Sequence, residues 1–369
     1  MRIAEVSYRR FSGLVGPGVG NARTRWARRD GYLLTLKDDR GNAGVGEVST
    51  LPEYSQGMEC DPVRTRVEVS EALEGATVPD GADSVAEIVR RLGETASIAA
   101  IRFAAESAAL DLVGQQTGRA VTDLLGGFAR VTVPRCGLIA VEPGEWVSAA
   151  RGLAARGIGT IKIKVGRAGS EAEELAQLKA VRAVIPESTR LRLDANGVWD
   201  LDEARRRLES FTAYDVEYVE QPVSPGRLPR LGQCAVPWAA DESLADDEEA
   251  AQLLDSPCAA FVLKPAILGG LTKCLDLARR AASKGIASVA SHLFDGPVAL
   301  AAYCELALAL PGPVAACGID VHPGLSLWPA VTVPQLQMDT DIVRGTRSRS
   351  GLGFSTEDRQ ALASQGYTV

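Results

Sequence analysis

Residues 160–166 read TIKIKVG, and the alternation in that stretch sets the frame for the rest of the chain. Side chains on a strand point to opposite faces in turn, so Lys162 and Lys164 share one face while Ile161, Ile163 and Val165 share the other. Working outward, further short apolar runs end on a charged residue: Asp194 in LRLDANG, Glu220 in EYVEQP, Asp241 in WAADES and Lys264 in FVLKPAILGG. The steps from Lys164 through these positions are 30, 26, 21 and 23 residues. Each step has the length of one strand plus one helix, and one ring of parallel strands would bring all of these side chains together.

The segments between these runs support the same rhythm. From Val131 the chain alternates apolar runs such as VPRCGLIA, LRLDAN and VEYVEQP with helical patterns such as EWVSAARGLAARG, EAEELAQLKAVRAVI and LTKCLDLARRAASKG. ASVASHL and AACGID bring the strand count near eight, the number at which right-handed βα units close into a barrel. Ahead of this region, RRDGYLLTLKDDRGNAGVGEVS alternates on both sides of a hairpin break at Asp38 to Asn42. Helical repeats follow, ending in the nearly all-apolar SIAAIRFAAESAALDLVGQQTG. The expected organisation is therefore α/β: an α+β region over 1–130, a (β/α) TIM-type barrel over 131–330, and a segment over 331–369 that packs back on the opening strands.

Composition excludes several classes of function. With 369 residues, 46% apolar and 24% charged, the chain can bury a full core, and a net charge of −7 offers no basic surface for nucleic acid. The opening MRIAEVSYRRFSGL lacks an apolar core, and no run approaches the 18 or so residues that span a bilayer. A cytoplasmic protein with no membrane or nucleic-acid partner is expected, whereas oligomeric state is not readable. Seven scattered cysteines without a C-x-x-C pair read as reduced, mostly buried small apolar residues. Of the 40 basic residues only 7 are lysine, and three of those fall on the motif strands. Arginine carries charge equally well but does not deprotonate, so sparing use of lysine at these positions suits a titratable base.

If the isoleucines of TIKIKVG pack on helices, the lysines point into the barrel. By the same parity Arg192 points inward with Asp194, and Tyr218 with Glu220. Three acids converging at the C-terminal strand ends repel one another unless a hard dication with oxygen ligands holds them, and Mg²⁺ is the natural candidate. Such a metal acidifies the proton α to a bound carboxylate, so a small carboxylate is the expected substrate and Lys164 and Lys264 the expected bases on its two sides. Lys162 is expected to lower the pKa of Lys164 as a like charge, or to donate to the substrate. Taken singly, IKIK suits an exposed edge strand, Asp194 or Asp241 a helix cap, and Glu220 a loop. Their shared βα phase favours one site.

The set Lys162-x-Lys164, Asp194, Glu220, Asp241 and Lys264 resembles the enolase superfamily, and within it the muconate-lactonizing-enzyme-like subgroup. That resemblance implies an α+β capping domain over a modified barrel, Mg²⁺ on Asp194, Glu220 and Asp241, and Lys164 and Lys264 as acid/base residues. The expected reaction is dehydration of a cyclohexadiene carboxylate bearing a succinyl chain, with racemisation of N-acylamino acids, epimerisation of dipeptides or cycloisomerisation of a muconate as alternatives. A barrel scaffold without catalysis is the alternative of another class. Where the family commonly carries a serine-rich carboxylate-binding stretch, this chain reads ASHLFDGPVAL, which leaves Ser291 and Gly296 as donors and introduces His292 and Asp295. Asn196 and Arg25 complete the expected substrate contacts, Arg25 within an arginine-rich loop (Arg23, Arg25, Arg28, Arg29) around Trp26 expected to close on an anion.

Overall fold

The computed structural model describes residues 1–14, 26, 28–49, 62–78, 82–95, 98–166, 170–313, 315–320, 322, 331–336, 341–346, 349–364 and 367–368. Strands β1 (Ile3–Leu14), β2 (Arg28–Asp38) and β3 (Ala43–Val48) form an antiparallel meander. The β2–β3 hairpin turns where the sequence breaks. There Asp38 Oδ1 accepts from the N–H groups of Arg40 and Asn42 at 3.0 and 2.7 Å, and Gly41 takes a φ of 87° that favours glycine. Helices α1 (Pro62–Leu73), α2 (Ala82–Thr95), α3 (Ala99–Thr117) and α4 (Val121–Leu124) follow. The apolar α3 lies flush on β3, because a Cβ at Gly44 or Gly46 would fall 2.0 Å from Ala108 O or 1.8 Å from Ala104 O.

The stretch VPRCGLIA divides into β4 (Thr132–Pro134) and β5 (Gly137–Ile139). From β5 the chain alternates through α5 (Trp146–Ala155), β6 (Thr160–Lys164), α6 (Glu171–Arg182), β7 (Arg190–Asp194), α7 (Leu201–Ser210), β8 (Val216–Glu220) and β9 (Trp238–Ala240). It continues through α8 (Asp247–Leu253), β10 (Ala260–Leu263), α9 (Pro265–Leu268), α10 (Leu271–Ser283), β11 (Ala287–Ala290) and α11 (Pro297–Ala309). Strands β5 to β11 make one parallel sheet in sequence order. The eighth position, expected as the strand AACGID, is reduced to single bridges: Cys317 pairs with Arg135 and Gly318 with Ser291, which closes the ring. Polar caps start the crossover helices where the sequence places them, a Ser170–Glu173 capping box on α6, Asp200 on α7 and Asp246 on α8. The C-terminal part returns as expected: β12 (Ile342–Arg344) pairs with β4, α12 (Thr356–Ser364) follows, and β13 (Tyr367–Thr368) pairs with β1.

Two core layers surround the barrel wall. Ile161, Ile163, Leu191, Leu193 and Val219 are fully buried with the helices outside, whereas Tyr218, Ala239, Ala260 and Val262 form a small separate cluster inside the ring. Every residue of α11 is buried, so truncating one of its leucines to alanine would cost about 2–5 kcal/mol. Cys136, Cys258, Cys274, Cys304 and Cys317 are buried, as their scatter suggested, while Cys60 lies outside the described residues. Among the described residues no helix is long and apolar enough to cross a membrane.

Candidate active site

Strand register builds the site in two tiers. Lys162 pairs in register with Arg192 and Arg192 with Tyr218; one tier above, Lys164 pairs with Asp194 and Asp194 with Glu220. In the lower tier the Arg192 guanidinium lies over the Tyr218 ring at 4.7 Å and donates to Glu217 Oε2 and Ala316 O, each at 2.6 Å. The upper tier holds the chemistry. Asp194, Glu220 and Asp241 are 0%, 1% and 4% exposed, and Lys162, Lys164 and Lys264 are buried too, at 9%, 7% and 6%. Lys162 Nζ donates to Glu220 Oε1 and Oε2 at 2.9 and 2.8 Å and lies 3.2 Å from Asp194 Oδ2. Lys164 Nζ donates to Asp194 Oδ2 at 2.6 Å and Asn196 Oδ1 at 2.9 Å, and Lys264 donates to Asp241 Oδ2.

These contacts decide the charge states. Burial alone would pull the Lys162 ammonium down, but the carboxylates of Glu220, Asp194 and Asp241 outweigh it and hold it well above its ordinary value. For Lys264, burial is likewise outweighed, here by Asp241, Glu242 and Glu220, and its pKa rises. Asp194 is lowered in spite of burial, because Lys164 and Lys162 stand beside it. Glu220 is raised by burial and by the charge on Asp194, and Asp241 is raised by burial. Lys162, expected to act on Lys164 as a like charge, is instead neutralised by two acids.

The rim is held by strained backbone and second partners that single motifs did not reveal. Asn196, Gln221 and Phe294, each one to two residues beyond a site residue, adopt φ of 47°, 41° and 57°. The Gln221 side chain splices two strand ends: Oε1 accepts from the N–H of Asp241 at 2.9 Å and of Ser243 at 3.2 Å, and Nε2 donates to Ser243 Oγ at 2.7 Å. Asn196, expected on the substrate, has both ends of its amide engaged, Oδ1 by Lys164 and Nδ2 by Glu242 Oε1 at 3.0 Å. It positions Lys164 rather than facing a ligand.

A partly enclosed cavity opens over this rim. Lys162, Lys164, Lys264, Ser291, His292, Phe294 and Trp26 are among its walls, as are Cys136 and Leu138, which the motif reading missed. Ser291, named as a substrate donor, thus lines the same cavity as the lysines. Gly296 does not serve as a substrate donor, since its N–H is given to Glu47 Oε1 at 2.6 Å. Of the arginines in the arginine-rich loop, two are described and both are engaged elsewhere: Arg29 is fully buried on Asp295 at 3.1 Å and on Ser49 O at 2.8 Å, and Arg28 donates to Ser12 Oγ at 2.5 Å. Arg23 and Arg25 lie outside the described residues.

Among the described residues, no three His, Cys, Asp or Glu side chains stand together ready to hold a metal ion, because each acid turns an oxygen to a lysine. The donor set itself fits a hard dication. It consists of carboxylate oxygens only, on successive strand ends, with Asp194 and Glu220 close enough to share the Lys162 amine at 3.2 and 2.8 Å. Lys164 ends β6 and Lys264 follows β10, four positions apart in a ring of seven strands plus the Cys317–Gly318 bridge, and so they face each other across it.

A family model described as enolase C-terminal domain-like matches residues 145–360, more than half of the chain. The chain belongs to the enolase superfamily. Two superfamily relatives are o-succinylbenzoate synthases. That of Thermobifida fusca is 39% identical over 197 residues, 52% of this chain and 60% of the relative, so the match spans less than two thirds of that protein. That of Thermosynechococcus vestitus is 30% identical over 292 residues, 76% of this chain and 81% of the relative. Among solved structures, a dipeptide epimerase from Enterococcus faecalis complexed with Mg and the dipeptide L-Leu-L-Tyr superposes with a TM-score of 0.81 at 22% identity, covering 96% of this chain and 100% of that one. At that identity the likeness concerns the fold.

Proposed function

We propose that this protein is an o-succinylbenzoate synthase: a Mg²⁺-dependent carbon–oxygen lyase of menaquinone biosynthesis, acting in the cytoplasm. It would dehydrate a succinyl-hydroxycyclohexadiene carboxylate. The observation that carries the reading is the pair of buried lysines, Lys164 and Lys264, facing one cavity from opposite sides of a ring of three buried acids. Asp194, Glu220 and Asp241 would hold Mg²⁺, which supplies positive charge where negative charge develops on the substrate carboxylate. Lys164, released from Asp194, removes the α-proton and returns it to the departing hydroxide, so one residue acts as base and then acid on a single face. Lys264 faces the other side of the ring as a cation. Lys162 stays with the acids. The divisions at 1–130, 131–330 and 331–369 belong to the same proposal.

Racemisation of N-acylamino acids would use the same opposed lysines, with Lys264 returning a proton instead of standing as a cation. Dipeptide epimerisation fits less well, because a substrate ammonium needs a free acid after the last strand. The acid there, Asp320, is held by Arg135 at 3.1 Å and Arg156 at 3.0 Å. The deciding experiment is a spectrophotometric dehydration assay with the cyclohexadiene substrate, on wild type and Lys164→Ala, with and without Mg²⁺. Turnover only by wild type with metal is the expected result. Wild type that fails to turn over with metal present, yet exchanges the α-proton of an N-acylamino acid for deuterium, would replace the lyase with the racemase.

A further inference from the structure

The chain has two histidines, and the fold packs their rings against each other at a tilt of 39°, with His292 on the cavity wall. The rings of His292 and His322 have centroids 4.9 Å apart, and Phe294 closes on them edgewise at 5.4 and 5.5 Å. His292 Nδ1 accepts the Phe294 N–H at 3.0 Å, which places the ring proton of a neutral imidazole on Nε2. His322 Nε2 stands 2.9 Å from the Asp295 carbonyl, which can only accept, so His322 carries its proton there and turns a bare Nδ1 inward. Among the described residues nothing accepts from His292 Nε2, and the ring is half-buried on the cavity that Lys164 and Lys264 also line. Burial, with His322, Lys162 and Lys264 around it, keeps His292 neutral well below its ordinary pKa.

Asp295 fixes the loop that carries this donor. Its Oδ2 accepts the Leu293 N–H at 2.7 Å, its Oδ1 takes Arg29 at 3.1 Å, and its carbonyl takes His322. A neutral N–H held this rigidly selects an oxygen acceptor without adding charge, beside lysines already balanced by acids. We propose that His292 donates through Nε2–H to a carbonyl oxygen on the substrate's side chain, away from the carbon that loses its proton. A chain ketone and an N-acyl amide share that chemistry. The inference rests on the proposed function for the location of the reacting carbon, and it makes His322 and Asp295 positioning residues.

The test uses tag-free protein labelled with ¹⁵N-histidine, in which only two rings report, and three probes with Mg²⁺: o-succinylbenzoate, N-acetylphenylglycine and benzoate, which lacks the chain carbonyl. We expect a carbonyl-bearing probe to shift the His292 Nε2–H resonance where benzoate does not. We also expect His292→Ala to weaken that probe about tenfold while leaving benzoate unchanged, and His292→Gln, which restores an N–H, to recover part of the loss. A response to the ketone alone or to the amide alone supports the inference and tells the sources apart. Equal weakening of all three probes, or a ring resonance that no carbonyl probe moves, overturns it, and the resonance needs no variant to fold. Wild type that shows the carbonyl response but no dehydration would remove the lyase reading and leave this inference standing.

Discussion

The rim of the barrel and the seam beneath the N-terminal sheet both bury charge, but they neutralise it differently. At the rim, acids meet lysines: Asp194, Glu220 and Asp241 against Lys162, Lys164 and Lys264. At the seam, acids meet backbone N–H groups and guanidinium forks. Glu47 of β3 accepts from Gly296 N and Ala299 N at 2.6 and 3.0 Å, capping α11 across the seam, and Glu106 of α3 accepts from Leu271 N and Thr272 N at 2.6 and 3.0 Å, capping α10. Asp111 takes both ends of Arg359, each at 2.8 Å, and Leu352 N, also at 2.8 Å. A flexible lysine can leave an acid and transfer a proton, whereas a helix N-terminus or a bidentate arginine is fixed in direction. The rim pairs its acids with side chains that can part from them, and the seam with groups fixed in direction.

The comparison predicts opposite outcomes when each region is cut. Lys164→Ala should lower kcat by about a thousandfold, the scale of a lost general base. Its urea midpoint should stay near wild type, since Asp194 keeps Lys162 at 3.2 Å. A large loss of stability instead would make the rim lysine structural. Arg29→Met should do the reverse and cost about 3 kcal/mol or more in chemical denaturation, because it strands the buried Asp295 carboxylate. Arg29→Met with Asp295→Asn should recover much of that cost, since the amide still accepts from Leu293; no recovery would mean that packing of the arginine, not charge, holds the seam.

A gentler probe of the seam is pH. Burial and the neighbouring Asp295 push Glu47 up to about 7 in the folded chain. An unfolded glutamate titrates near 4.3. Between these values the folded state holds a proton that the unfolded state has lost, so this group's contribution falls as pH rises through the window and is fully present below it. Wild type should therefore lose about 2 kcal/mol relative to Glu47→Gln between pH 5 and 7.5, and a flat difference in urea midpoints would show that Glu47 titrates normally. The smallest effect expected is that of Glu106→Ala, about 1 kcal/mol, from loss of the cap on α10. Calorimetry that finds no change would assign the cap to Thr272 or water.

The two regions also differ in how much of them could be read from sequence. The rim was legible because strand parity and the βα interval act on nearby residues. TIKIK puts both lysines inside, and steps of one strand plus one helix put three acids on successive strand ends. The hairpin at Asp38 and the return of the C-terminal segment were legible for the same local reasons. The seam was not, because Glu47 and Ala299 are 252 residues apart and nothing in GVGEVS names its partner. Its one local signal was the spacing of Gly44 and Gly46, which marks a strand pressed against a helix. Gly296 and Asn196 were read as substrate contacts because each has a donor to give, and sequence does not say that Glu47 and Glu242 have already taken it. The eighth strand was over-read, since two bridged residues suffice to close the ring.

The central claim is that Asp194, Glu220 and Asp241 yield their lysines to one shared dication. Calorimetric titration of Mg²⁺ into wild type and Asp194→Asn, with folding of both checked, tests it most directly. The account predicts one saturable site per chain in wild type, with affinity falling by an order of magnitude or more in the variant, on the scale of one lost ligand. Equal binding by the two proteins, or no binding by wild type, would contradict it.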